Sequence, residues 1–331
     1  MSSSLHSEPP LWLPRLTPAM RQVVERIARA RHTPMQELGA VQARRAYAMG
    51  SQTLELPALV LAQGTEQTIV ARDGTPLRAR LYWPSPSTER ATAAVAPLPV
   101  VLYLHGGGFT IGSVETHDIL CRRMASLSGA AVVSLDYRLA PERRFPCAVH
   151  DAFDALCWLG SQGHEWGLDG RRLAVAGDSA GGTLAAVAAI QARDAGIALA
   201  AQVLIYPGTT AHQDTESHHF YATGPVLNKP LIDWFFRQYI DWDERTDWRF
   251  APLLAPELEA VAPALLVLAE CDPLVDEGLA YADRLRLAGV DVELELYRGV
   301  AHEFIKMGHA LPEAMQAHRA IAAWLQRAFS L

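Results

Sequence analysis

Gly177-Asp178-Ser179-Ala180-Gly181-Gly182 stands directly after the β-rich run Arg172–Ala176 and directly before the alanine-rich run Thr183–Ile190. This is a Gly-x-Ser-x-Gly elbow in a strand-turn-helix setting. A serine at such a turn has a strained backbone, and the positions two before and two after it must be small for strand end and helix start to pass closely. Gly177 and Gly181 meet that requirement. The expected result is an exposed Ser179 hydroxyl at a helix N-terminus, where N–H groups and the helix dipole favour developing negative charge.

A second glycine-rich turn lies upstream. The apolar run Val100–Leu104 ends in His105-Gly106-Gly107-Gly108, a loop whose N–H groups no side chain shields. With the N–H of the residue after the serine, such a loop builds an oxyanion hole. The expected donors are Gly106, Gly107 and Ala180, with Gly108 as a further candidate. Neither loop carries Gly-Lys-Ser/Thr or Gly-x-Gly-x-x-Gly, so a phosphate or dinucleotide site is not expected.

A serine hydroxyl is a weak nucleophile at neutral pH and needs a base held by a third group. In this strand-turn-helix class the chain order is Ser, then Asp or Glu, then His. The apolar run Ala264–Ala269 ends in Glu270-Cys271-Asp272-Pro273-Leu274, and Asp276 and Glu277 follow closely. These acids sit at the C-terminal end of an expected parallel strand, where open α/β sheets place their active sites. Asp272 is the chosen acid, although spacing alone leaves Glu270, Asp276 and Glu277 beside it. The alternating run Val290–Tyr297 then leads to His302 on the following loop, placed to bridge Asp272 and Ser179.

Together these segments resemble the hormone-sensitive-lipase family of α/β-hydrolases, in its bacterial esterase branch with Gly-Asp-Ser-Ala-Gly. His105–Phe109, Tyr137–Glu142, Phe145-Pro146, Tyr206-Pro207 and Asp272–Gly278 also match the family's pattern. The resemblance implies Ser179 as nucleophile, His302 as base and Asp272, over its neighbours, as acid. It implies hydrolysis of short- to medium-chain carboxylic esters through an acyl-enzyme, with no cofactor. An amidase or acyltransferase would use the same triad, whereas receptors that resemble the family lack the histidine present here as His302. Two positions depart from the pattern: Glu303 stands where glycine usually follows the histidine, and Thr183 where asparagine is common.

The chain has 331 residues, 50% of them hydrophobic, and a formal charge of −7. That is enough for one large α/β core plus a cap. The acidic balance disfavours nucleic acid or an anionic membrane as partner, and Arg44-Arg45 and Arg122-Arg123 read as solvated helix faces. The first ten residues lack the basic start and apolar run of a leader, and no stretch has the length of a membrane span. Cys121, Cys147, Cys157 and Cys271 form no Cys-x-x-Cys pair, and read as mostly buried thiols of a cytoplasmic protein. His302-Glu303 is not part of a His-Glu-x-x-His motif, because Lys306 holds the second ligand position, so no metal is expected.

The expected architecture is an α/β-hydrolase fold, a mostly parallel eight-stranded sheet with helices on both faces and a helical cap. Residues 67–72 and 77–82 read as an edge hairpin around Asp73-Gly74. Further strands are expected near 99–104, 131–137, 172–177, 201–206, 264–269 and 291–297. Helices are expected near 116–128, 147–161, 180–195, 276–288 and 312–329. The cap comprises 1–50, with helices over 18–31 and 34–48, and 208–250, with the aromatic stretch Leu231–Tyr239; the core comprises 51–207 and 251–331. Trp234 and Phe235 are the candidate substrate-binding residues. The alternation in Val290–Tyr297 suits an edge strand with an apolar face (Val290, Val292, Leu294, Leu296) and an acidic one, and the resemblance implies homodimerisation through that last strand.

Overall fold

The computed structural model describes residues 9–59, 64–85 and 96–330. Most of the stretch read for a leader, residues 1–8, lies outside them. The strands are β1 (Thr65–Val70), β2 (Pro76–Tyr82), β3 (Leu98–Leu104), β4 (Ala131–Leu135), β5 (Leu168–Asp178), β6 (Ala201–Ile205), β7 (Ala264–Cys271) and β8 (Val292–Ala301). They form one eight-stranded sheet in the order β1-β2-β4-β3-β5-β6-β7-β8. β2 pairs antiparallel with β1 and β4, and the remaining neighbours are parallel.

The central strands alternate between two cores, as a sheet covered on both faces must. Val100, Leu102 and Leu104 of β3, with Leu173 and Val175 of β5, pack beneath α4 (Cys147–Gln162), α5 (Ala180–Asp194) and α8 (Val275–Leu287). Val101, Tyr103, Ala174 and Ala176 face the opposite way, toward α3 (Asp118–Ser128) and α9 (Pro312–Phe329). Every one of these strand residues is fully or almost fully buried.

The remaining helices lie at the ends and over the top: α1 (Pro18–Ala30), α2 (Ala40–Gly50), and α6 (Glu216–Phe220) and α7 (Lys229–Tyr239) between β6 and β7. Asn228 starts α7 by accepting the Leu231 N–H at 3.0 Å, and Pro230 occupies its first turn, a combination that favours a helix start. The second N-terminal helix begins at Ala40, later than the expected 34, because Met35–Glu37 makes a 3₁₀ turn and Leu38 is extended. The two N-terminal helices also part company. α2 sends Ala43 and Tyr47 against Ile111, Trp234 and Phe235, whereas Met20 and Val23 of α1 join the lower core with Val300 and Phe304.

Other expectations are corrected by packing. Arg44 is no solvated arginine: it donates to the carbonyls of Thr110 at 2.8 Å and Ala140 at 2.6 Å, and to Glu142 at 3.0 Å, tying α2 to the loops after β3 and β4. Arg123 is buried and donates to the Pro57 carbonyl at 2.8 Å. Of the cysteines, Cys121 and Cys271 are buried, and Cys147 and Cys157 only half-buried. On β8, the edge strand of the sheet, Val292 and Leu294 pack partly against the upper core, but Leu296 is exposed. Among the described residues, no helix is long and apolar enough to cross a membrane.

Candidate active site

The site is built at the C-terminal ends of β3, β5, β7 and β8, with each chemical group on the loop that leaves a strand. Ser179 has φ 53° and ψ −122° and caps α5. This strained conformation exists because the elbow is clamped on both sides. A Cβ on Gly181 would strike the Leu104 carbonyl, and one on Gly177 would strike Gly181. The Ser179 N–H donates to Ile205 O at 2.8 Å, fastening the turn to the neighbouring strand.

His302 Nε2 lies 2.9 Å from Ser179 Oγ, and its Nδ1 lies 2.6 Å from Asp272 Oδ2. With the Nδ1 proton donated to the carboxylate, Nε2 presents its lone pair to the serine hydroxyl. Asp272 is fully buried, and its other oxygen accepts the Leu274 N–H at 2.9 Å, so the acid is held from both ends. Burial alone would lower the His302 pKa. The adjacent Asp272 carboxylate, with Glu303 and Asp178 further off, outweighs it and holds the imidazole above its ordinary value.

The rival acids have other employment. Glu270 accepts the Gly299 N–H at 2.8 Å, and Asp276 accepts the Ser217 N–H at 2.7 Å. Glu277 accepts the N–H groups of Thr209 at 2.7 Å and Thr210 at 2.6 Å, with His218 Nε2 at 3.4 Å.

One of the three N–H groups expected to serve an oxyanion already has a partner. The Gly106 N–H donates to Asp178 Oδ1 at 2.9 Å and is therefore taken. The N–H groups of Gly107, Gly108 and Ala180 have no acceptor among the described residues. Asp178, the residue before the serine, organises this loop. It also accepts from the Tyr103 hydroxyl at 2.6 Å and contacts His117 Nε2 at 3.3 Å. Burial opposes its charge, but His117, Tyr103 and Lys306 hold its carboxyl below the usual range. His105 is pushed down to about 3 by burial, stacks on Tyr137 at 4.3 Å and bonds the Gly106 carbonyl through Nδ1 at 2.8 Å, which makes it part of the loop's frame.

A cavity of about 120 Å³ opens over Ser179 and His302. Phe235 lines it and lies against Gly108, where a Cβ would strike its ring. Trp234 does not line it. One step along a helix turns a side chain by about 100°, and Trp234 is buried against Ile111 and α2. Phe236, with Leu227, Ile232 and Leu274, supplies the apolar wall instead. The residues singled out from the sequence do not include Asp178 or Tyr47, and Phe236 enters only as part of the aromatic stretch. Asp178 could have been found as the polar residue of the elbow with no exit to solvent, but nothing local marks Tyr47, 132 positions before the serine.

The similarity to known proteins spans the same elements. A family model described as α/β hydrolase fold matches residues 101–306. The chain is 43% identical over 290 residues to an ethyl acetate hydrolase of Pseudomonas putida, covering 85% of this chain and 88% of that one. It is 40% identical over 278 residues to carboxylesterase NlhH of Mycobacterium tuberculosis, covering 82% and 85%. Among solved structures, the hyperthermophilic esterase of Pyrobaculum calidifontis superposes with a TM-score of 0.86 at 40% identity, covering 94% and 98%. An α/β hydrolase from the metagenome of Lake Arreo gives 0.90 at 36%, covering 96% and 100%. Sheet order, elbow, glycine loop and sequence similarity agree: the chain belongs to the α/β-hydrolase fold family, in its hormone-sensitive-lipase-like group.

Proposed function

We infer that the protein is a serine carboxylesterase acting on small, short- to medium-chain carboxylic esters. The observation that carries this reading is the Ser179–His302–Asp272 chain of contacts at 2.9 Å and 2.6 Å, ending in a cavity beside unpaired N–H groups. The similarity to an ethyl acetate hydrolase and to carboxylesterases supports the substrate class.

In this reading Ser179 attacks the ester carbonyl while His302 Nε2 takes its proton. Asp272 holds the tautomer and stabilises the imidazolium. The N–H groups of Gly107, Gly108 and Ala180 bind the oxyanion, aided by the N-terminus of α5. His302 then gives its proton to the departing alcohol, activates water against the acyl-enzyme and regenerates the serine. In this reading the cap over the site is made by α2 and the segment 208–250, which meet through Tyr47, Trp234 and Phe235, whereas α1 packs with Val300 and Phe304 instead. Half-buried free thiols at Cys147 and Cys157 support a reducing, cytoplasmic setting.

The wall formed by Phe235, Phe236, Leu227, Ile232 and Leu274 bounds the space for the acyl chain. Each buried CH₂ contributes about 0.8 kcal/mol, until overpacking at about 1–3 kcal/mol reverses the trend. In a p-nitrophenyl ester series kcat/KM should peak at about four to six acyl carbons and be small beyond about twelve. Faster turnover of emulsified long-chain triglycerides than of p-nitrophenyl butyrate would contradict this reading of the pocket.

The same reading takes a second copy of the chain as partner, through β8. This strand ends the sheet, and exposed Leu296 and, on the neighbouring α8, Leu287 lie along that side, a combination suited to edge-to-edge pairing. Sedimentation at micromolar concentration should give twice the 36.2 kDa chain mass; a species of the chain mass alone would count against the dimer.

A further inference from the structure

Glu303 occupies a left-handed backbone conformation, φ 63°, that favours glycine, yet the chain places a carboxylate there. Its side chain is fastened to the cap. The Tyr47 hydroxyl donates to Glu303 Oε1 at 2.7 Å, and Lys306 Nζ donates to the Tyr47 oxygen at 2.9 Å while lying 4.8 Å over the same ring. Tyr47 and Lys306 are both buried. Glu303 and Tyr47 line the cavity together with Ser179 and His302, whereas Lys306 does not.

Acidic side chains predominate around the cavity, with the buried Lys306 behind Tyr47 as a counter-charge. Glu277 and Glu303 line it, and Asp178 and Asp272 are buried around the elbow and the histidine. Glu277 is satisfied by the Thr209 and Thr210 N–H groups beside His218. Glu303 has its bond to Tyr47 through Oε1, and Oε2 has no donor among the described residues. A fixed carboxylate with an open oxygen, walled by an aromatic ring, is suited to a cation or a hydrogen-bond donor.

We propose that Glu303 is a specificity-determining residue: with Tyr47 it forms a polar subsite for the alcohol half of the ester, selecting alcohols with a cationic or hydrogen-bond-donating head over anionic ones. The assignment rests on the serine-esterase reading, because the ester carbonyl must sit on Ser179. The leaving oxygen must then meet His302 Nε2, from which it takes its proton. The alcohol group therefore extends along the His302 side, where Glu303, the next residue in the chain, forms the wall. The apolar lining of Leu227, Ile232 and Phe236 is left to the acyl chain.

The test compares choline butyrate with its neutral isostere, 3,3-dimethylbutyl butyrate, so that shape is held constant and the charge is independent of pH. In the wild-type protein kcat/KM should favour the choline ester by about tenfold, mainly through KM, and the ratio should fall as salt rises from about 0.05 to about 0.5 M. Glu303→Gln should bring the ratio to within about twofold of unity. The same ratio in wild type and Glu303→Gln, or a wild-type ratio indifferent to salt, overturns the proposal; the salt series decides the question if the variant does not fold. Turnover of the neutral ester without charge preference removes the subsite alone, whereas turnover of neither ester removes the esterase reading on which it rests.

Discussion

Ser179→Ala should lower kcat/KM for p-nitrophenyl butyrate by about 10⁴-fold or more, the scale on which removal of a triad nucleophile acts. The hydroxyl is the group that His302 Nε2 faces at 2.9 Å, and no neighbouring side chain can replace it on that vector. Residual catalysis would come from the oxyanion donors and from binding. The fold should be unaffected. The strained φ of 53° belongs to the turn, alanine bears that strain no worse than serine, and the clamp between Gly177, Gly181 and Leu104 is backbone. Circular dichroism and the melting temperature should therefore match the wild type. Retention of more than a tenth of the activity would refute the assignment of the nucleophile.

Asp272→Asn should cost about 10⁴-fold in kcat, with the side chain's volume and its bond from the Leu274 N–H kept. The amide can donate to Nδ1, which moves the imidazole proton to Nε2 and turns a base toward Ser179 into a donor. The variant also removes the leading attraction that holds the imidazole up against its burial. The sign follows directly. His302 must be neutral to act, so in the wild type kcat/KM is lost as pH falls through a pKa above the ordinary histidine value of about 6.5. Without the carboxylate the acid limb should move to lower pH while the plateau collapses. A plateau within tenfold of wild type, or an acid limb that stays in place, would show that Asp272 does not hold the base.

The parts of this site that could be read from the chain are those set by contiguous residues. The elbow, the glycine loop and the alternation of strands and helices are local patterns, and β3, β5 and β7 extend close to where apolar runs end at chemical residues. The chosen acid is the one that meets His302. What could not be read depends on which partner reaches a group through space. Gly106 looks like an oxyanion donor until Asp178 takes its N–H. Arg44 looks like a surface arginine until the loops after β3 and β4 each offer it a carbonyl. Trp234 and Phe235 are equivalent in an aromatic stripe, and only the packing of α7 on α2 decides which one faces the cavity. Glu303 was visible as a departure from pattern, but its tether to Tyr47 joins residues 256 positions apart.

The most direct test of the account is active-site labelling. The protein is treated with an alkyl fluorophosphonate, which phosphonylates a serine only when a neighbouring base activates it and oxyanion donors receive its P=O oxygen. Intact mass should rise by one equivalent in step with loss of esterase activity, peptide mapping should place the adduct on Ser179, and Ser179→Ala should remain unlabelled. Inactivation with the adduct on any other residue, or full activity in protein labelled at Ser179, would contradict it.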